Sequence, residues 1–446
     1  MKKVFSIVMV LVLALGITSA ALASVPAPGG PFNSAFRVQN LETTAAQCSY
    51  SFYDAAGVAA FTSTPESVNP GDSLYVYVPS VSGLATGSYS AVVSCDRKVA
   101  AVSNFSDPNS GASYSGIAEP GAEWFAPGIY DNYYNYYSNI VVQNASASPV
   151  DITVEIFAPG SSTPVKTQTA SAVPANASAT FEQEGAAELM DNQFYSAKIT
   201  GTGNIAPIVN IYGKGPYDNQ LYSYNAFTSG STTAFAPVIM SNYYGYNTAL
   251  VIQNIGSANA AVTVTYTNGY SKNYTIAPGA AESIYTPGET AAGFMPDVLY
   301  GATVTSDQEV VVLVNESNNF NRAASWNGFA GGSMEVRAPI VMKRYYQYNS
   351  SVTCQNVGAV PTDMTITYAT GASGPTTYTN IAPGAVQLFY QPTDPALAGV
   401  PPNYISSATI TSSAADIVCV VNQDINEGAG ATVIQDQLYA YNGIAP

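Results

Sequence analysis

The sequence predicts an all-β protein built from four tandem copies of one β-sandwich unit, preceded by a secretory signal. Three observations support this architecture. One block of about a hundred residues recurs four times, apolar and polar residues alternate within each block, and a basic start is followed by an apolar run. Self-similarity at a fixed period is typical of repeat proteins, and a period of two is typical of half-buried strands.

The amino terminus has the pattern of a signal peptide. Lys2 and Lys3 precede an uncharged, mostly apolar run over residues 4–20, and Ala21-Leu22-Ala23 then supplies the small residues of a cleavage site. We therefore expect a signal peptide at residues 1–23, removed on export. The alternative is a membrane anchor, but the run is short for a bilayer span. Without a later apolar stretch of sufficient length, the mature chain is expected outside the cell with no transmembrane segment.

Each repeat is marked most clearly by an apolar strand that ends in Gln-Asn. A side-chain amide at such a position is expected to cap a turn or an edge strand, where the ladder of backbone hydrogen bonds stops. The other marks are a proline turn, a valine-rich strand ending in Asn, and a closing motif that starts with an aromatic residue. The four pairs are Gln39-Asn40, Gln143-Asn144, Gln253-Asn254 and Gln355-Asn356.

These marks divide the mature chain into four repeats. We expect repeat 1 at residues 24–124, repeat 2 at 125–235, repeat 3 at 236–337 and repeat 4 at 338–446. Six or seven short strands per repeat, separated by Gly, Pro and Asn turns, predict an immunoglobulin-like sandwich. The junctions are short and contain proline, so the four sandwiches are expected to form an elongated, semi-rigid rod.

Composition excludes several classes of function. Charged residues are 9% of the chain and the formal net charge is −16, which argues against nucleic acid as a partner. The chain has no histidine, so Ser-His-Asp and Cys-His catalysis and HExxH zinc sites are excluded. No acidic position recurs in all four repeats, and we expect a non-enzymatic protein. A carboxylate-dependent glycoside hydrolase is the alternative, because that chemistry needs only two acids.

Four cysteines are divided between the first and the last repeat. An exported chain with this distribution predicts the disulfides Cys48–Cys95 and Cys354–Cys419, each within one repeat. Metal binding is the alternative, but pairs of isolated thiols without histidine make a poor zinc site. In a rod the terminal repeats have one neighbour each, and the crosslinks would compensate for the missing contact.

Clusters of tyrosine precede the Gln-Asn strand in repeats 2, 3 and 4, and each is expected near a junction between repeats. Tyrosine offers large, rigid, amphipathic contact area. Three interpretations remain open: the rings pack the junction, they bind other copies of the chain, or they bind glycan. The clusters consist of Tyr130, Tyr133, Tyr134, Tyr136 and Tyr137 in repeat 2, Tyr243, Tyr244 and Tyr246 in repeat 3, and Tyr345, Tyr346 and Tyr348 in repeat 4.

No cofactor is expected. Calcium, which prefers oxygen ligands, is the alternative that we keep open, with Asp131, Asp297 and Asp416 as scattered carboxylates that could contribute. The chain contains no Asp-x-Asp-x-Asp-Gly loop of the kind that marks a calcium site.

With its repeat laid out, the chain resembles bacterial secreted proteins with tandem immunoglobulin-like repeats, of the envelope or surface-layer-like type. The resemblance lies in strands such as Ile252-Gln253-Asn254-Ile255-Gly256, followed by Val262–Tyr266 and Ile276-Ala277-Pro278-Gly279. It implies a role at the cell surface or in a matrix. We therefore expect a structural or adhesive surface protein that assembles with itself or with other envelope proteins. The alternative is a secreted array of glycan-binding modules.

Overall fold

The structure is a computed structural model that describes residues 30–318, 322–425 and 438–446, together with the backbone of residues 7–11. The predicted cleavage site at Ala21-Leu22-Ala23 lies outside these residues. Antiparallel strands dominate, and the helices of the described residues are single 3-10 turns. The all-β class is therefore confirmed. In the part of the chain that is described, no helix is long and apolar enough to cross a membrane.

The first sixteen strands belong to repeats 1 and 2. Together with the segment at residues 7–11, repeat 1 contains β1 (Ile7–Leu11), β2 (Asn33–Asn40), β3 (Ala46–Tyr53), β4 (Ala59–Thr62), β5 (Glu66–Val68), β6 (Ser73–Tyr77), β7 (Ser90–Cys95), β8 (Val99–Ser106) and β9 (Gly111–Ser115). Repeat 2 contains β10 (Gly121–Tyr130), β11 (Tyr136–Asn144), β12 (Val150–Phe157), β13 (Pro164–Val173), β14 (Ser178–Glu182), β15 (Phe194–Gly213) and β16 (Leu221–Asn225). Short 3-10 turns lie at Val78–Ser80 and Gly215–Tyr217.

The remaining strands belong to repeats 3 and 4. Repeat 3 contains β17 (Ser231–Ile239), β18 (Ser241–Tyr243), β19 (Tyr246–Asn254), β20 (Ala260–Tyr266), β21 (Ser271–Ile276), β22 (Ala281–Tyr285), β23 (Tyr300–Asn318) and β24 (Ala323–Asn327). Repeat 4 contains β25 (Glu335–Lys343), β26 (Tyr348–Asn356), β27 (Thr362–Tyr368), β28 (Thr376–Ile381), β29 (Val386–Tyr390), β30 (Tyr404–Ser412), β31 (Ile417–Ile425) and β32 (Tyr439–Asn442). Their 3-10 turns are Thr286–Gly288, Thr290–Ala292, Gln391–Thr393 and Pro395–Leu397.

Each repeat has two antiparallel sheets with the same strand order. In repeat 4 the first sheet runs β25-β30-β27-β28 and the closing sheet, which contains the closing motif, runs β29-β26-β31-β32. Repeats 2 and 3 follow these orders, except that β15 and β23 are long single strands that pass through both sheets. In repeat 1, β1 pairs with β7 at the edge position that β10, β17 and β25 hold elsewhere.

The two sheets differ in how their strands are buried. In the first sheet of repeat 3, Val262 and Val264 are buried whereas Thr263 and Thr265 are not, as a sheet with one apolar face requires. In the closing sheets, whole runs such as Ile140–Val142 and Val310–Val314 are buried. A strand that is buried on both faces needs a second layer outside its own sandwich, and the neighbouring repeat supplies that layer.

Both predicted disulfides are present. Cys48 on β3 faces Cys95 on β7 with Cα atoms 4.2 Å apart, and Cys354 on β26 faces Cys419 on β31 at 4.0 Å. Each bond therefore joins directly opposed residues of neighbouring strands in one sheet. Such crosslinks fit an oxidising compartment.

The recurring Gln-Asn pair caps a turn in every repeat, as predicted. In repeat 3, Asn254 Nδ2 donates to the carbonyl oxygens of Ala258 and Ile276 at 2.7 and 2.8 Å, and its Oδ1 accepts from Gly256 N at 2.9 Å. The glutamine side chains donate to a carbonyl of the proline turn in their own repeat. These bonds are Gln39 to Gly71 at 3.1 Å, Gln143 to Asn176 at 3.2 Å, Gln253 to Gly279 at 3.1 Å and Gln355 to Gly384 at 3.1 Å.

The four repeats close into a ring. The closing strands contact one another in the cyclic order β9, β16, β24, β32 and back to β9, so that repeat 1 lies against repeat 4. At the centre, the amide of Asn225 bonds the backbone of Ser115 at 2.7 and 3.1 Å, and Asn442 bonds the backbone of Asn327 at 2.5 and 2.9 Å. The predicted rod is therefore wrong. Residues that project outward from each closing sheet are themselves buried, and they pack on the preceding repeat.

The same hydrogen bond recurs at three of the four joints of this ring. In three cases a serine of one repeat donates its hydroxyl to the proline-turn carbonyl of the next repeat, which is the carbonyl that also accepts the glutamine amide. The pairs are Ser90 with Asn176, Ser196 with Gly279 at 2.6 Å, and Ser407 with Gly71 at 2.7 Å. Gly301 replaces the serine at the joint between repeats 3 and 4. Because the joint recurs and the ring closes, the repeats are related by an approximate rotation about one axis, and equivalent residues lie on the same side of the ring.

Because the ring is closed, the explanation given above for the position of the two disulfides does not apply. Repeats 1 and 4 each have two neighbours, so a missing contact does not explain why only they carry cysteines. They are instead the two repeats on either side of the joint at which the ring closes, which no linker spans. We call this joint the seam.

Candidate functional site

The tyrosine clusters form the same tight hairpin in three repeats. In repeat 2, Tyr133 and Tyr136 exchange backbone hydrogen bonds at 2.9 and 3.0 Å across a two-residue turn, Tyr134-Asn135. Both turn residues have positive φ, at 48° and 68°, as a type I′ turn requires. The equivalent turns are Tyr244-Gly245 in repeat 3 and Tyr346-Gln347 in repeat 4.

A tyrosine stands at the tip of every one of these hairpins. Tyr134, Tyr244 and Tyr346 are 63%, 69% and 72% exposed and have φ of 48°, 47° and 46°. The left-handed region is unfavourable for a bulky side chain, which makes the threefold recurrence notable. Because the hairpins are equivalent, the ring carries the three tips on one side.

A second loop holds each tip in place. Asp297 Oδ1 accepts a hydrogen bond from Tyr244 N at 2.7 Å, and Asn403 Oδ1 accepts one from Tyr346 N at 3.2 Å. The backbones of Asn192, Asp297 and Asn403 also bond the residue two positions before the tip in their repeats, and all three have positive φ. The tips are therefore fixed features of the surface.

The flanking tyrosines pack the joints between repeats. Tyr130 is buried, and Asn315 Nδ2 of repeat 3 donates to its hydroxyl at 3.4 Å. Tyr246 donates to Asp424 of repeat 4 at 2.6 Å, and burial beside that carboxylate raises the pKa of Tyr246 well above its usual value. Of the three interpretations of the clusters, junction packing therefore describes these rings, whereas the tips remain available to a partner.

The other flanking rings are half-buried and are held by local contacts. Tyr133, Tyr243 and Tyr345 lie edge-on to the tip ring of their hairpin with centroids 4.9, 5.0 and 4.9 Å apart. Tyr136 bonds Gln220, Tyr137 donates to Asn132 at 3.0 Å, and Tyr348 lies 5.7 Å from the ring of Tyr439.

Further exposed tyrosines, which the sequence analysis did not single out, lie beside the hairpins. Tyr77 and Tyr285 hold equivalent positions on β6 and β22 and are 42% and 52% exposed, and Tyr75 is 45% exposed. Burial and the neighbouring hydroxyls of Tyr345 and Tyr346 raise the pKa of Tyr75. The sequence contained a signal for these residues. In Leu74-Tyr75-Val76-Tyr77 every second residue is a tyrosine, and Val76 between the two tyrosines is buried, so the tyrosines lie on the other face of the strand. We call Tyr75, Tyr77, Tyr134, Tyr244, Tyr285 and Tyr346 the tyrosine rim.

A buried carboxyl group and a partly buried ion pair lie at the joint between repeats 3 and 4. Glu316 accepts hydrogen bonds from Trp326 Nε1 and Asn422 Nδ2, both at 2.5 Å, and burial raises the pKa of its carboxyl to about 7. Nearby, Arg322 forms an ion pair with Asp424 at 2.7 Å. Both groups bond across the joint, which is sufficient to explain their burial.

Both cavities that we describe lie at the seam. The larger, of about 280 Å³, is lined by the Pro70-Gly71 turn of repeat 1 and by Tyr368, Thr370 and Thr409 of repeat 4. The smaller, of about 70 Å³, lies between Arg37 and Tyr75 of repeat 1 and Met342 and Tyr345 of repeat 4. The seam therefore contains ligand-sized space.

The carboxylates considered for calcium are not brought together. Asp131, Asp297 and Asp416 belong to three different repeats, and Asp131 and Asp297 accept hydrogen bonds from backbone nitrogens. Within the described ranges, no group of three His, Cys, Asp or Glu side chains is placed to hold a metal ion.

No protein-family model matches the chain, and no curated protein matches it. Among solved structures, the chain is similar to Thermotoga maritima 1070, with 11% identity, a TM-score of 0.21 and coverage of 24% of this chain and 95% of the other. It is also similar to the Anabaena sensory rhodopsin transducer, with 17% identity, a TM-score of 0.15 and coverage of 19% and 93%. A Streptomyces avermitilis α-L-rhamnosidase aligns over 87% of this chain and 53% of its own, at 9% identity and a TM-score of 0.14. Scores this low carry no argument about function.

Proposed function

We propose that this protein is an exported, non-enzymatic adhesive protein of the cell surface, in which a closed ring of four immunoglobulin-like units presents the tyrosine rim to a partner. The observation that carries the proposal is the exposure of Tyr134, Tyr244 and Tyr346 on equivalent hairpins. Exposed aromatic side chains that the fold holds rigidly are the usual anchors of binding surfaces.

The backbone at the tips supports a role in binding. A two-residue turn with positive φ at both positions prefers Asn and Gly, and the second position follows this preference with Asn135 and Gly245. The first position holds tyrosine all three times, although tyrosine is unfavourable there. A residue that lowers stability and contacts little of its own fold is best explained by contact with a partner.

Glycan is the second candidate partner, beside other copies of the chain or other envelope proteins. At each tip two rings meet at 74–83°, so a sugar can stack on one ring while it contacts the edge of the other. Binding of one copy of the chain to another is the competing interpretation, and the experiment described next distinguishes the two.

The test is binding of purified protein to cells and to isolated envelope polysaccharide, with the variant Tyr134→Asn/Tyr244→Asn/Tyr346→Asn. Asparagine suits the turn, so folding should be kept while the rings are lost. We expect at least a tenfold loss of binding, with no loss for Tyr378→Asn, which removes an exposed tyrosine on β28. Unchanged binding by the triple variant would overturn the proposal. Sedimentation of the same proteins would reveal binding between copies.

A further inference from the structure

The seam departs from the other three joints at one position. Two residues before the recurring glutamine, repeats 2, 3 and 4 carry Val141, Val251 and Thr353, and all three are buried in the joint. Repeat 1 carries Arg37 there. A ring of duplicated units needs the same contact four times, so a cation at this position in one repeat only calls for an explanation of its own.

Among the described residues no carboxylate contacts Arg37 directly, although the charge of Asp72 lies near it. Its Nη1 donates to Ser73 Oγ at 2.9 Å, its guanidinium lies 5.2 Å from the centroid of the Tyr75 ring, and its Nε is buried without a hydrogen-bond partner. Among the described residues it forms no ion pair, although the chain has 29 acidic and only 13 basic residues. A partly buried guanidinium without a directly bonded carboxylate is unfavourable, and an anionic ligand would relieve that cost.

The space beside Arg37 suits one small anionic group. The cavity of about 70 Å³ is lined by Arg37, Tyr75, Asn104, Met342, Tyr345 and Ile405. A water molecule takes about 30 Å³ in the liquid, so this space holds a carboxylate but not a sugar ring. The rest of a ligand would lie outside, where Tyr75 and Tyr346 are exposed. The neighbouring cleft of about 280 Å³ offers threonine hydroxyls to uncharged parts of the ligand, and its lining also includes the carboxylate of Asp72.

We propose that the seam binds the carboxylate of an acidic sugar, with Arg37 pairing to the carboxylate and Tyr75 and Tyr346 contacting the sugar ring. This inference rests on the proposed function and names a ligand class for one part of the rim. Guanidinium–carboxylate pairs are strong and directional, and tyrosine rings stack on the apolar faces of sugars. The threonines of the larger cleft would bond the sugar hydroxyls.

The test is calorimetric titration of the full chain with cellobiouronic acid and with cellobiose, which differ at a single carboxylate. We expect the acid to bind, and Arg37→Val to weaken it roughly tenfold or more, as the loss of a charge-assisted pair implies. The variant places at the seam the residue type of Val141 and Val251, so it should fold, and a thermal melt verifies this. Cellobiose should bind weakly and equally to both proteins.

Three results would overturn the inference: equal binding of both disaccharides, unchanged binding by Arg37→Val, or binding of sodium acetate as tight as that of the acid. The last would mean that a bare carboxylate is recognised without its sugar. The adhesion assay with Tyr134→Asn/Tyr244→Asn keeps the two proposals apart, because both of these tips lie away from the seam. Adhesion that persists in that variant counts against the rim as the adhesive surface and leaves the Arg37 result standing.

Discussion

The side chain of Asn327 reaches across the ring axis to the backbone of Asn225, with its Nδ2 donating to the Asn225 carbonyl oxygen over 2.7 Å. Asn225 and Asn442 make the same contact to the preceding repeat, so the asparagines of the closing motif link neighbouring repeats at the axis. Repeat 1 has Ser115 at this position, and its side chain is shorter.

Removing one axial amide should therefore loosen the ring. Asn225→Ala deletes two hydrogen bonds to Ser115 and should lower the free energy of unfolding by about 1–3 kcal/mol, measured by denaturant titration. Ser115→Ala is the matched control at the equivalent position and should be nearly neutral. A null effect of Asn225→Ala would show that the axial bonds do not contribute to closure.

The joint between repeats 3 and 4 predicts a compensating pair of substitutions. A Cβ atom on Gly301 would lie 2.8 Å from Val386 Cγ1, and the residues equivalent to Val386 at the other joints are Ser73, Ser178 and Ala281. Gly301→Ser should destabilise by about 1–3 kcal/mol through overpacking. Adding Val386→Ala should restore most of that loss, because the hydroxyl can then bond the Gly384 carbonyl as at the other joints. Equal stability of the single and double variants would contradict this account.

Burial of Glu316 makes stability depend on pH. Its pKa rises from an ordinary 4.5 to about 7 in the folded chain, so the unfolded chain loses this proton first as pH rises. The folded state is therefore destabilised progressively between about pH 4.5 and 7, by about 3 kcal/mol once the window is passed, with no effect below it. Glu316→Gln should abolish this loss of stability between pH 4 and pH 8. Because glutamine keeps one acceptor oxygen for the two donors Trp326 Nε1 and Asn422 Nδ2, the variant should be less stable than the parent at pH 4.

Repeat 4 provides a precedent for that substitution. Gln423 holds the equivalent position and accepts a hydrogen bond from Asn104 Nδ2 at 2.9 Å, as Glu316 does from Asn422. Glu309→Gln, at an exposed position of the same strand, is the control and should leave the pH profile unchanged. A parent profile that is flat relative to Glu316→Gln would mean that the carboxyl ionises normally.

The Gln-Asn cap should be sensitive to loss of its donors. Asn254→Asp keeps the shape of the side chain but removes the amide that satisfies the carbonyls of Ala258 and Ile276, and it buries a charge. We expect a loss of about 3–5 kcal/mol at neutral pH, partly recovered at low pH when the new carboxyl is protonated. Asn273→Asp, at an exposed position of β21, serves as the control and should change stability by less than about 0.5 kcal/mol.

Local chemistry was predictable from the sequence. The alternation of Val262 and Val264 with threonines is a property of one strand, and the Gln-Asn cap joins groups that a single turn brings together. The cysteine pairing followed from their distribution between repeats. Each of these features depends on contacts within one repeat, where the residue pattern and the structure have the same period.

The ring was not predicted, because its contacts join residues that are far apart in the chain. Short proline junctions are compatible with a rod or with a turn, and repeats 1 and 4 meet only when all four repeats are in place. One signal was present: uninterrupted apolar runs such as Val310–Val314 indicate a strand covered on both faces. The seam could not be predicted from the sequence, because it exists only where repeats 1 and 4 meet.

The ring has a rotation axis but no twofold axis perpendicular to it, so its two sides are different. Because the three hairpin tips share one side, the molecule has a fixed polarity, and the binding that we propose would require that side to face the partner. The fixed distances between the tips also determine which partners can bind several tips at once. Once one tip has bound, the second and third tips bind at a high effective concentration. This gain requires binding sites on the partner that repeat at the distance between the tips. Weak contacts at single tyrosines would then discriminate between ordered polymers and their isolated fragments.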